Sequence, residues 1–228
     1  METSLHLALK QLYTTGDSRQ EAVIEGYRAD VLRGDLIVEI QASPLGAIAR
    51  KVADLVRAHR ILVVKPIARR KILIRQSEPG GPWDLRRLSP KVGSLLSVFN
   101  ELVNFVRVFP HSNLTVEVVL VDEEEFRVPR RRRGFRRPNF RVHDRRLVEI
   151  VTRYRLATGQ DLVGLLPPGW PNPLTTESLA THLDTPQWFA RKVAYTLRHC
   201  GIAHVCGKIR NRIVYQLPSH FSATMTAC

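Results

Sequence analysis

Residues 26–41 read GYRADVLRGDLIVEIQ, a stretch in which acidic residues interrupt a pattern of small and apolar ones. The extended segments EAVIEGYRADVL and DLIVEIQ flank Arg33-Gly34, which predicts a β-hairpin that turns there. In that register Asp30 faces Ile37, and Glu39 is its diagonal neighbour on the same face of the sheet. Gln41 lies two residues further along that face.

The hairpin therefore predicts two carboxylates close together. Neighbouring carboxylates repel each other unless a cation lies between them. Mg²⁺ and Mn²⁺ accept carboxylate and carbonyl oxygens, so Asp30, Glu39 and the Ile40 carbonyl form a candidate metal site. A metal there would activate water and stabilise a phosphoryl transition state. The alternative is that Asp30 and Glu39 are merely polar positions of a hairpin.

Helices and strands alternate on both sides of the hairpin. TSLHLALKQLY, residues 3–13, has leucines on one helical face, and residues 43–59 form a second amphipathic pattern. The apolar runs ILVVKPIA and KILIRQ follow as two further strands. This order predicts an α/β layer architecture.

Residues 1–76 resemble the PD-(D/E)XK nuclease superfamily, the fold of many restriction enzymes and Holliday-junction resolvases. Its signature is an acidic residue at the first helix, an Asp on one hairpin strand and (D/E)-x-K on the other. Glu2, Asp30 and the run Glu39-Ile40-Gln41 occupy these places. The resemblance implies a restriction-endonuclease-like α/β (α+β) core with Mg²⁺ or Mn²⁺ as cofactor.

Two departures bear on the catalytic residues that the resemblance implies. The hairpin aspartate follows Ala29 rather than Pro, which such families tolerate. The motif lysine is replaced by Gln41, whose amide can orient water but supplies no cation, so Lys65 on the next strand is a candidate for that charge. Glu21 and Glu25 are alternatives to the acidic residue at the first helix.

The charge of the chain points to a polyanionic partner. Its 228 residues carry a formal net charge of +14, and 44% are hydrophobic, enough for a sizeable core. The positive charge is spread along the chain. Nucleic acid, DNA before RNA, is the expected partner, although an acidic protein or membrane surface would also attract such a chain.

An arginine-rich run covers residues 127–146. Its candidate nucleic-acid contacts are Arg130, Arg131, Arg132, Arg133, Arg136 and Arg137. Guanidinium groups suit phosphates, and Phe135 and Phe140 could stack on unpaired bases. The alternative is a solvated loop that is basic only for solubility.

Residues 174–217 resemble a winged helix, with a short helix, a recognition helix and a β-wing. The candidate DNA contacts are Arg191, Lys192 and Arg198 on the helix and Lys208, Arg210 and Arg212 on the wing. The candidate core residues are Val193, Leu197, Ile202, Val205 and Val214. The alternative for this segment is a structural or protein-docking role.

The Pro-rich stretches suggest the domain boundaries. We expect a nuclease-like core over 1–76, a core extension over 77–166, a winged helix over 167–220 and a tail over 221–228. No stretch has the roughly 20 apolar residues of a membrane span, and no signal peptide is apparent. The spacing of Cys200, His204 and Cys206 matches no closed zinc site, and three cysteines fit a reducing cytoplasm.

Together these patterns predict a cytoplasmic, metal-dependent DNA endonuclease that binds DNA through a basic segment and a winged helix. The alternative is a non-catalytic nucleic-acid-binding protein on a nuclease-derived fold, acting as a regulator or a subunit of a nucleoprotein complex. Either reading is compatible with a homodimer.

Overall fold

The structure, a computed structural model, describes residues 2–130 and 139–217. Its helices are α1 (Ser4–Tyr13), α2 (Ala49–Leu55), α3 (Phe99–Leu102), α4 (Gly159–Val163), α5 (Thr176–His182) and α6 (Gln187–His199). Its strands are β1 (Arg19–Ile24), β2 (Tyr27–Arg33), β3 (Leu36–Ile40), β4 (Arg60–Arg75), β5 (Leu85–Leu88), β6 (Leu114–Pro129), β7 (Phe140–Leu156), β8 (His204–Ile209) and β9 (Arg212–Gln216). The chain is a mixed α and β protein, as predicted at that coarse level.

Among the described residues, seven strands form one sheet in the order β1-β2-β3-β4-β6-β7, with β5 paired to β4. The first three strands form an antiparallel meander, and β4 runs parallel to β3. A parallel pair requires a crossover, and the connection that contains α2 supplies it. The hairpin β8–β9 forms a separate two-stranded sheet.

Helix α1 packs on the sheet through one stripe of side chains. Leu5, Leu9 and Tyr13 follow at intervals of four and are all buried. Their cluster includes Val31, Val38, Ile40, Leu62, Val64, Val119 and Val121. Burying each leucine stabilises the fold by roughly 1.5–3 kcal/mol. This packing fixes the rotation of α1, and with it the direction of the polar side chains on its neighbouring stripe.

The structure divides into two compact units. Unit 1 contains the described residues within Met1–Ala42, His59–Leu95 and Glu117–Tyr154, and unit 2 those within Ser43–Ala58, Leu96–Val116 and Arg155–Cys228. These ranges do not coincide with the predicted boundaries at residues 76 and 166. Segments distant in the sequence share unit 2, because helices too short to form a core alone must bury their apolar faces against one another.

The hairpin of β2 and β3 turns one residue later than predicted. Arg33 pairs with Leu36, so the two loop residues are Gly34 and Asp35. Gly34 has a φ of +58°, a conformation that glycine adopts without a Cβ penalty and that suits the first position of a tight hairpin turn. Val31 therefore pairs with Val38, and the predicted pairing of Asp30 with Ile37 is wrong.

Several other elements differ in length from their predicted ranges. The runs ILVVKPIA and KILIRQ form one continuous strand, β4, despite the proline at position 66. The predicted loop after it contains β5, which pairs with the second half of β4. The second predicted helix, residues 43–59, is a 3₁₀ turn at Leu45–Ile48 followed by α2. No helix in the described part of the chain is both long and apolar enough to cross a bilayer.

Candidate metal centre and nucleic-acid contacts

The candidate site lies at the end of the β2–β3 ladder. The last pair of the ladder is Val31 with Val38, and Asp30 and Glu39 are the next residues on the two strands. Beyond this pair the Ile40 backbone nitrogen donates a hydrogen bond to Asp30 Oδ2 at 2.7 Å. The aspartate carboxylate therefore replaces a backbone partner at the point where the ladder stops.

Helix α1 and the residue before its cap bring two more ligand-type groups to Asp30. His6 Nε2 lies 3.3 Å from Asp30 Oδ1 and 3.0 Å from Glu2 Oε1. One potential ligand atom from each of these three residues lies within 4.8 Å of the others. Two carboxylates and an imidazole at this separation form a set that could share one divalent cation.

A lysine on the same stripe of α1 neutralises part of this negative charge. Lys10 Nζ lies 2.7 Å from Glu2 Oε1 and also pairs with Glu21. Arg28 pairs with the second oxygen of Glu21. Lys10 is almost fully buried, so its carboxylate partners are needed to offset the desolvation of the ammonium group.

The electrostatics of the cluster favour charged groups. Burial raises the pKa of Asp30, but the hydrogen bonds from His6 and the Ile40 nitrogen, and the charge of Lys10, outweigh it and hold the pKa below its ordinary value. Burial lowers the pKa of Lys10, and the contacts to Glu2 and Glu21 outweigh it, so this pKa is raised. The hydrogen bond from Lys10 lowers the pKa of Glu21. Asp30 is thus held as the anion that a metal requires.

Glu39, Gln41 and Lys65 are buried; the first two lie at the end of β3, and Lys65 lies within β4. The parallel pairing of β3 with β4 runs to Ile40 opposite Val64, and the Gln41 nitrogen donates to the Val64 carbonyl at 2.8 Å. Gln41 and Lys65 are the next residues on these two strands. The β3–β4 register therefore sets a buried lysine beside the glutamine that stands at the motif-lysine position.

The structure brings Asp30 together with Glu2, whereas Glu39, the other predicted metal ligand, is not in the group whose ligand atoms lie within 4.8 Å of one another. The group and its surroundings add two residues that the sequence patterns did not single out. These are His6 and Lys10. The intervals of four residues from Glu2 to His6 and from His6 to Lys10 were the available signal, since such residues lie on one face of a helix. Glu25 pairs instead with His59 at 2.8 Å. The Ile40 group in contact with Asp30 is its nitrogen, not the carbonyl proposed as a metal ligand.

The described arginines around the basic run are partly engaged within the protein. Arg127 pairs with Glu125 at 2.6 Å, and its guanidinium lies 4.0 Å from the centre of the Phe140 ring. Phe140 therefore already has a stacking partner. Arg130 is exposed, and its Nε donates to the Phe140 carbonyl at 3.0 Å. The predicted contacts Arg131, Arg132, Arg133, Arg136 and Arg137, together with Phe135, lie outside the described residues.

Acidic side chains of β6 form ion pairs with several basic residues of unit 1. Glu125 is buried and accepts from Lys71 at 2.8 Å and Arg145 at 3.2 Å, as well as from Arg127. Burial raises the pKa of Glu125, but these cations outweigh it and lower the pKa to about 2. Next to it, Asp122 and Arg69 form a bidentate pair. These carboxylates hold the basic strands of unit 1 together.

The C-terminal segment has the helix, helix and hairpin order predicted for it. The Thr175 hydroxyl caps α5 by accepting from the Ser178 nitrogen, and Gly201 follows α6 with a φ of +75°. Val193, Leu197 and Ile202 are buried as predicted, whereas Val205 is 44% exposed. The reason is that β8 is exposed along its whole length, whereas Val214 on β9 is half-buried.

The predicted DNA-contacting residues of this segment divide into two groups. Lys192 donates to Asn100 Oδ1 at 2.9 Å, and Arg212 pairs with Glu177. These two cations already have partners within unit 2. Arg191, Arg198, Lys208 and Arg210 are exposed.

The two described cysteines have different surroundings. Cys200 is buried, its thiol donates to the Phe109 carbonyl, and burial raises its pKa to about 12. Cys206 is exposed, and its thiol donates to the Val214 carbonyl.

Comparisons with known proteins place the chain in a family. The model of a family described as a domain of unknown function, DUF8091, matches residues 3–157, which run from α1 to the end of β7. An uncharacterized protein of Treponema pallidum (strain Nichols) is 33% identical over 171 residues, covering 73% of this chain and 68% of that protein. No solved structure matches the chain significantly. The chain belongs to the DUF8091 family.

Proposed function

We propose that this chain is a metal-dependent nuclease that hydrolyses phosphodiester bonds in DNA. The observation that supports the proposal is the cluster of Glu2, His6 and Asp30, whose ligand atoms lie within 4.8 Å of one another. This cluster adjoins the end of the β2–β3 ladder, where Glu39 follows Val38. Acidic residues from a first helix and from both strands of a hairpin are the arrangement that the PD-(D/E)XK resemblance implies.

The donor set fits a divalent cation that accepts both oxygen and nitrogen. Carboxylates suit Mg²⁺ and Mn²⁺ equally, whereas an imidazole ligand is less suited to Mg²⁺, which prefers oxygen. We therefore expect Mn²⁺ to bind more tightly than Mg²⁺. Because protons compete with a metal for its ligands, binding should also weaken as the pH falls.

A bound metal would supply activated water and would neutralise charge on the phosphate. Two residues of the chain would serve the other requirements of the reaction. The Gln41 amide would orient the attacking water by hydrogen bonding. Lys65, at the neighbouring position on β4, would stabilise the negative charge that develops on the phosphate, a task that the motif lysine serves in the resembling family.

In this proposal, exposed cationic side chains bind the DNA. Arg191 and Arg198 of α6, Lys208 and Arg210 of the β8–β9 hairpin, and Arg130 at the end of β6 can contact phosphates. Phosphate contacts carry no base sequence, so we expect binding with little sequence preference. Affinity should fall steeply with salt, because each contact releases counterions.

A second candidate function is binding of nucleic acid without cleavage. The observation that favours it is the contact of Glu2 with Lys10 and of Asp30 with the Ile40 nitrogen, which gives both carboxylates partners without a metal. Gln41 in place of the motif lysine favours it as well. Such a protein would bind DNA or RNA as a regulator or as one subunit of a complex.

Asp30→Asn separates the two functions. Nicking of supercoiled DNA should require Mn²⁺ or Mg²⁺, stop with EDTA and be lost in Asp30→Asn, while DNA binding stays within twofold. Mn²⁺ binding by calorimetry should be lost in the same variant. Asp17→Asn, an exposed loop carboxylate, is the matched control and should behave as the wild type. If the wild type binds DNA but neither binds Mn²⁺ nor cuts duplex, branched or single-stranded DNA, the second function replaces the first.

A further inference from the structure

Three adjoining clefts lie between the outer ends of β4, β5, β6 and β7 in unit 1. Their volumes are about 760, 230 and 270 Å³. The first and second share Gln76, Pro129 and Arg130 as lining residues, and the second and third share Arg75 and Arg127. The clefts therefore form one continuous depression, which we call the arginine groove. Its arginines are Arg75, Arg86, Arg87, Arg127, Arg130 and Arg141.

Part of the groove's positive charge has no carboxylate partner in the described part of the chain. No Asp or Glu is among the described residues that line the three clefts. Arg86 and Arg127 pair with Glu124 and Glu125 at 2.9 and 2.6 Å. By contrast, no carboxylate within residues 2–130 and 139–217 pairs with Arg75, Arg87 or Arg141, and all three are exposed. Exposed, unpaired guanidinium groups around a concavity favour a ligand with several phosphates.

The largest cleft also has an aromatic wall. Trp83 is 38% exposed, and its ring meets Phe126 edge-on with centroids 5.2 Å apart. The exposed ring of His143 lies 5.7 Å from Trp83. Contact with Phe126 holds the indole in place while part of its surface stays open to solvent. Such a ring is a platform on which a planar base can stack, worth roughly 1–3 kcal/mol for each base.

We propose that the arginine groove binds a single-stranded segment of nucleic acid. An unpaired base stacks on Trp83 and His143, and Arg75, Arg87 and Arg141 contact the phosphates on either side of it. A duplex fits this chemistry less well, because its bases are stacked on one another and cannot reach Trp83. Binding in the groove is independent of the metal centre; only its role in presenting substrate rests on the proposed nuclease function.

The test measures binding of a fluorescein-labelled 12-nucleotide oligothymidylate to the full chain in EDTA, by fluorescence anisotropy. The triple substitution of Arg75, Arg87 and Arg141 by Gln should weaken binding at least tenfold and reduce the magnitude of the salt slope by about 2. The control replaces the exposed Arg19, Arg33 and Arg57 by Gln. Each set lowers the net charge equally, from +14 to +11 (14 − 3), so the control should change affinity less than threefold.

Trp83 supplies the second arm of the test. Trp83→Ala should weaken oligothymidylate binding about tenfold, and Trp83→Phe, which keeps an aromatic face, less than threefold. Thermal melts show that each variant is folded; if Trp83→Ala is not, the arginine triple alone decides.

Equal loss of affinity in both arginine triples overturns the proposal, as does a duplex of equal length that binds as tightly as the single strand. A free nucleotide binding as tightly as the 12-mer would make the groove a mononucleotide site and also overturn the proposal. Since all binding is measured in EDTA, failure of cleavage leaves this result unaffected.

Discussion

Asp30 concentrates the chemistry of the candidate metal centre in one side chain. One oxygen accepts from the Ile40 nitrogen, and the other faces His6. Because the first contact is to backbone, the carboxylate keeps its orientation whether or not a metal is present. Its lowered pKa keeps it ionised. Asp30 therefore has both the charge and the fixed geometry of a metal ligand.

Two substitutions test the roles proposed for Gln41 and Lys65 in the reaction. Lys65→Gln should slow cleavage by about 10²–10³-fold, because the site loses its cation. Adding Gln41→Lys to that variant should restore much of the rate, since the two positions are neighbours on paired strands. The measurement is single-turnover cleavage with saturating Mn²⁺. A double variant as slow as Lys65→Gln would contradict the shared role.

Glu125 gives a prediction of pH dependence. Its pKa is about 2 in the folded protein against an ordinary value of 4.5. Because the folded-state pKa is depressed, its stabilising contribution is fully present above pH 4.5 and is lost as the pH falls towards 2. The shift corresponds to about 3 kcal/mol. Urea unfolding should therefore show that Glu125→Gln loses about that much stability at pH 7 but much less at pH 3.

The control for this prediction is the exposed Glu78, which we expect to change unfolding by less than about 0.5 kcal/mol when replaced by Gln. An equal loss for Glu125→Gln at both pH values would mean that packing, rather than charge pairing, explains its effect.

Among the secondary-structure elements, α1 connects the core to the candidate site. Its buried stripe packs on the sheet, and the neighbouring stripe carries His6 and Lys10. The start of the helix is held by Asp144 of β7, which accepts from the Ser4 nitrogen at 2.8 Å and the Ser4 hydroxyl at 2.6 Å. A carboxylate at a helix N-terminus is also favoured by the helix dipole.

Removing this anchor should affect both stability and metal binding. We expect Asp144→Ala to lower the free energy of unfolding by about 1–2 kcal/mol, from lost capping and hydrogen bonds. Mn²⁺ affinity should fall as well, because Glu2 and His6 lose their fixed position. Glu149→Ala, an exposed position on the same strand, is the control and should change neither quantity. Unchanged unfolding in Asp144→Ala would show that the core stripe alone positions α1.

Local sequence patterns correctly predicted the helices and strands near the hairpin, but only some residues of the candidate metal centre. Three features could be predicted from the sequence because each depends only on neighbouring residues. They are the apolar period of α1, the apolar run of β4, and the acidic positions Asp30 and Glu39. The hairpin register was missed by one residue, since Arg33-Gly34 and Gly34-Asp35 are both acceptable turns. Lys65 was a candidate from the sequence for the charge missing at Gln41. The Asp144 anchor was not foreseeable, because it joins segments distant in the sequence.

In the molecule as a whole, the C-terminal helices do not form a unit by themselves. Unit 2 combines them with residues from 43–58 and 96–116. Lys192 of α6 bonds to Asn100 of α3, and Cys200 to the Phe109 carbonyl. The family match ends at residue 157, so family membership covers part of unit 2 but not α5 or α6. This segment depends on partners that come earlier in the chain.

The excised segment 167–217 should therefore fail to fold. Its isolated helices would expose the apolar surface that α3 covers, and a segment of about 50 residues has little core of its own. Its proton–nitrogen NMR spectrum should show the narrow dispersion of an unfolded chain, whereas the full chain gives a dispersed one. A dispersed spectrum from the segment would show that it folds by itself and would contradict this expectation.

The Ser4–Asp144 contact has a consequence for the time at which the protein becomes active during synthesis. The two residues are 140 positions apart. At roughly 5–20 residues per second, the ribosome needs on the order of ten seconds to reach Asp144 after making α1. During that interval Glu2 and His6 belong to a helix without its anchor and without its core partners in β6. The proposed nuclease would therefore acquire its metal only once most of the chain has emerged.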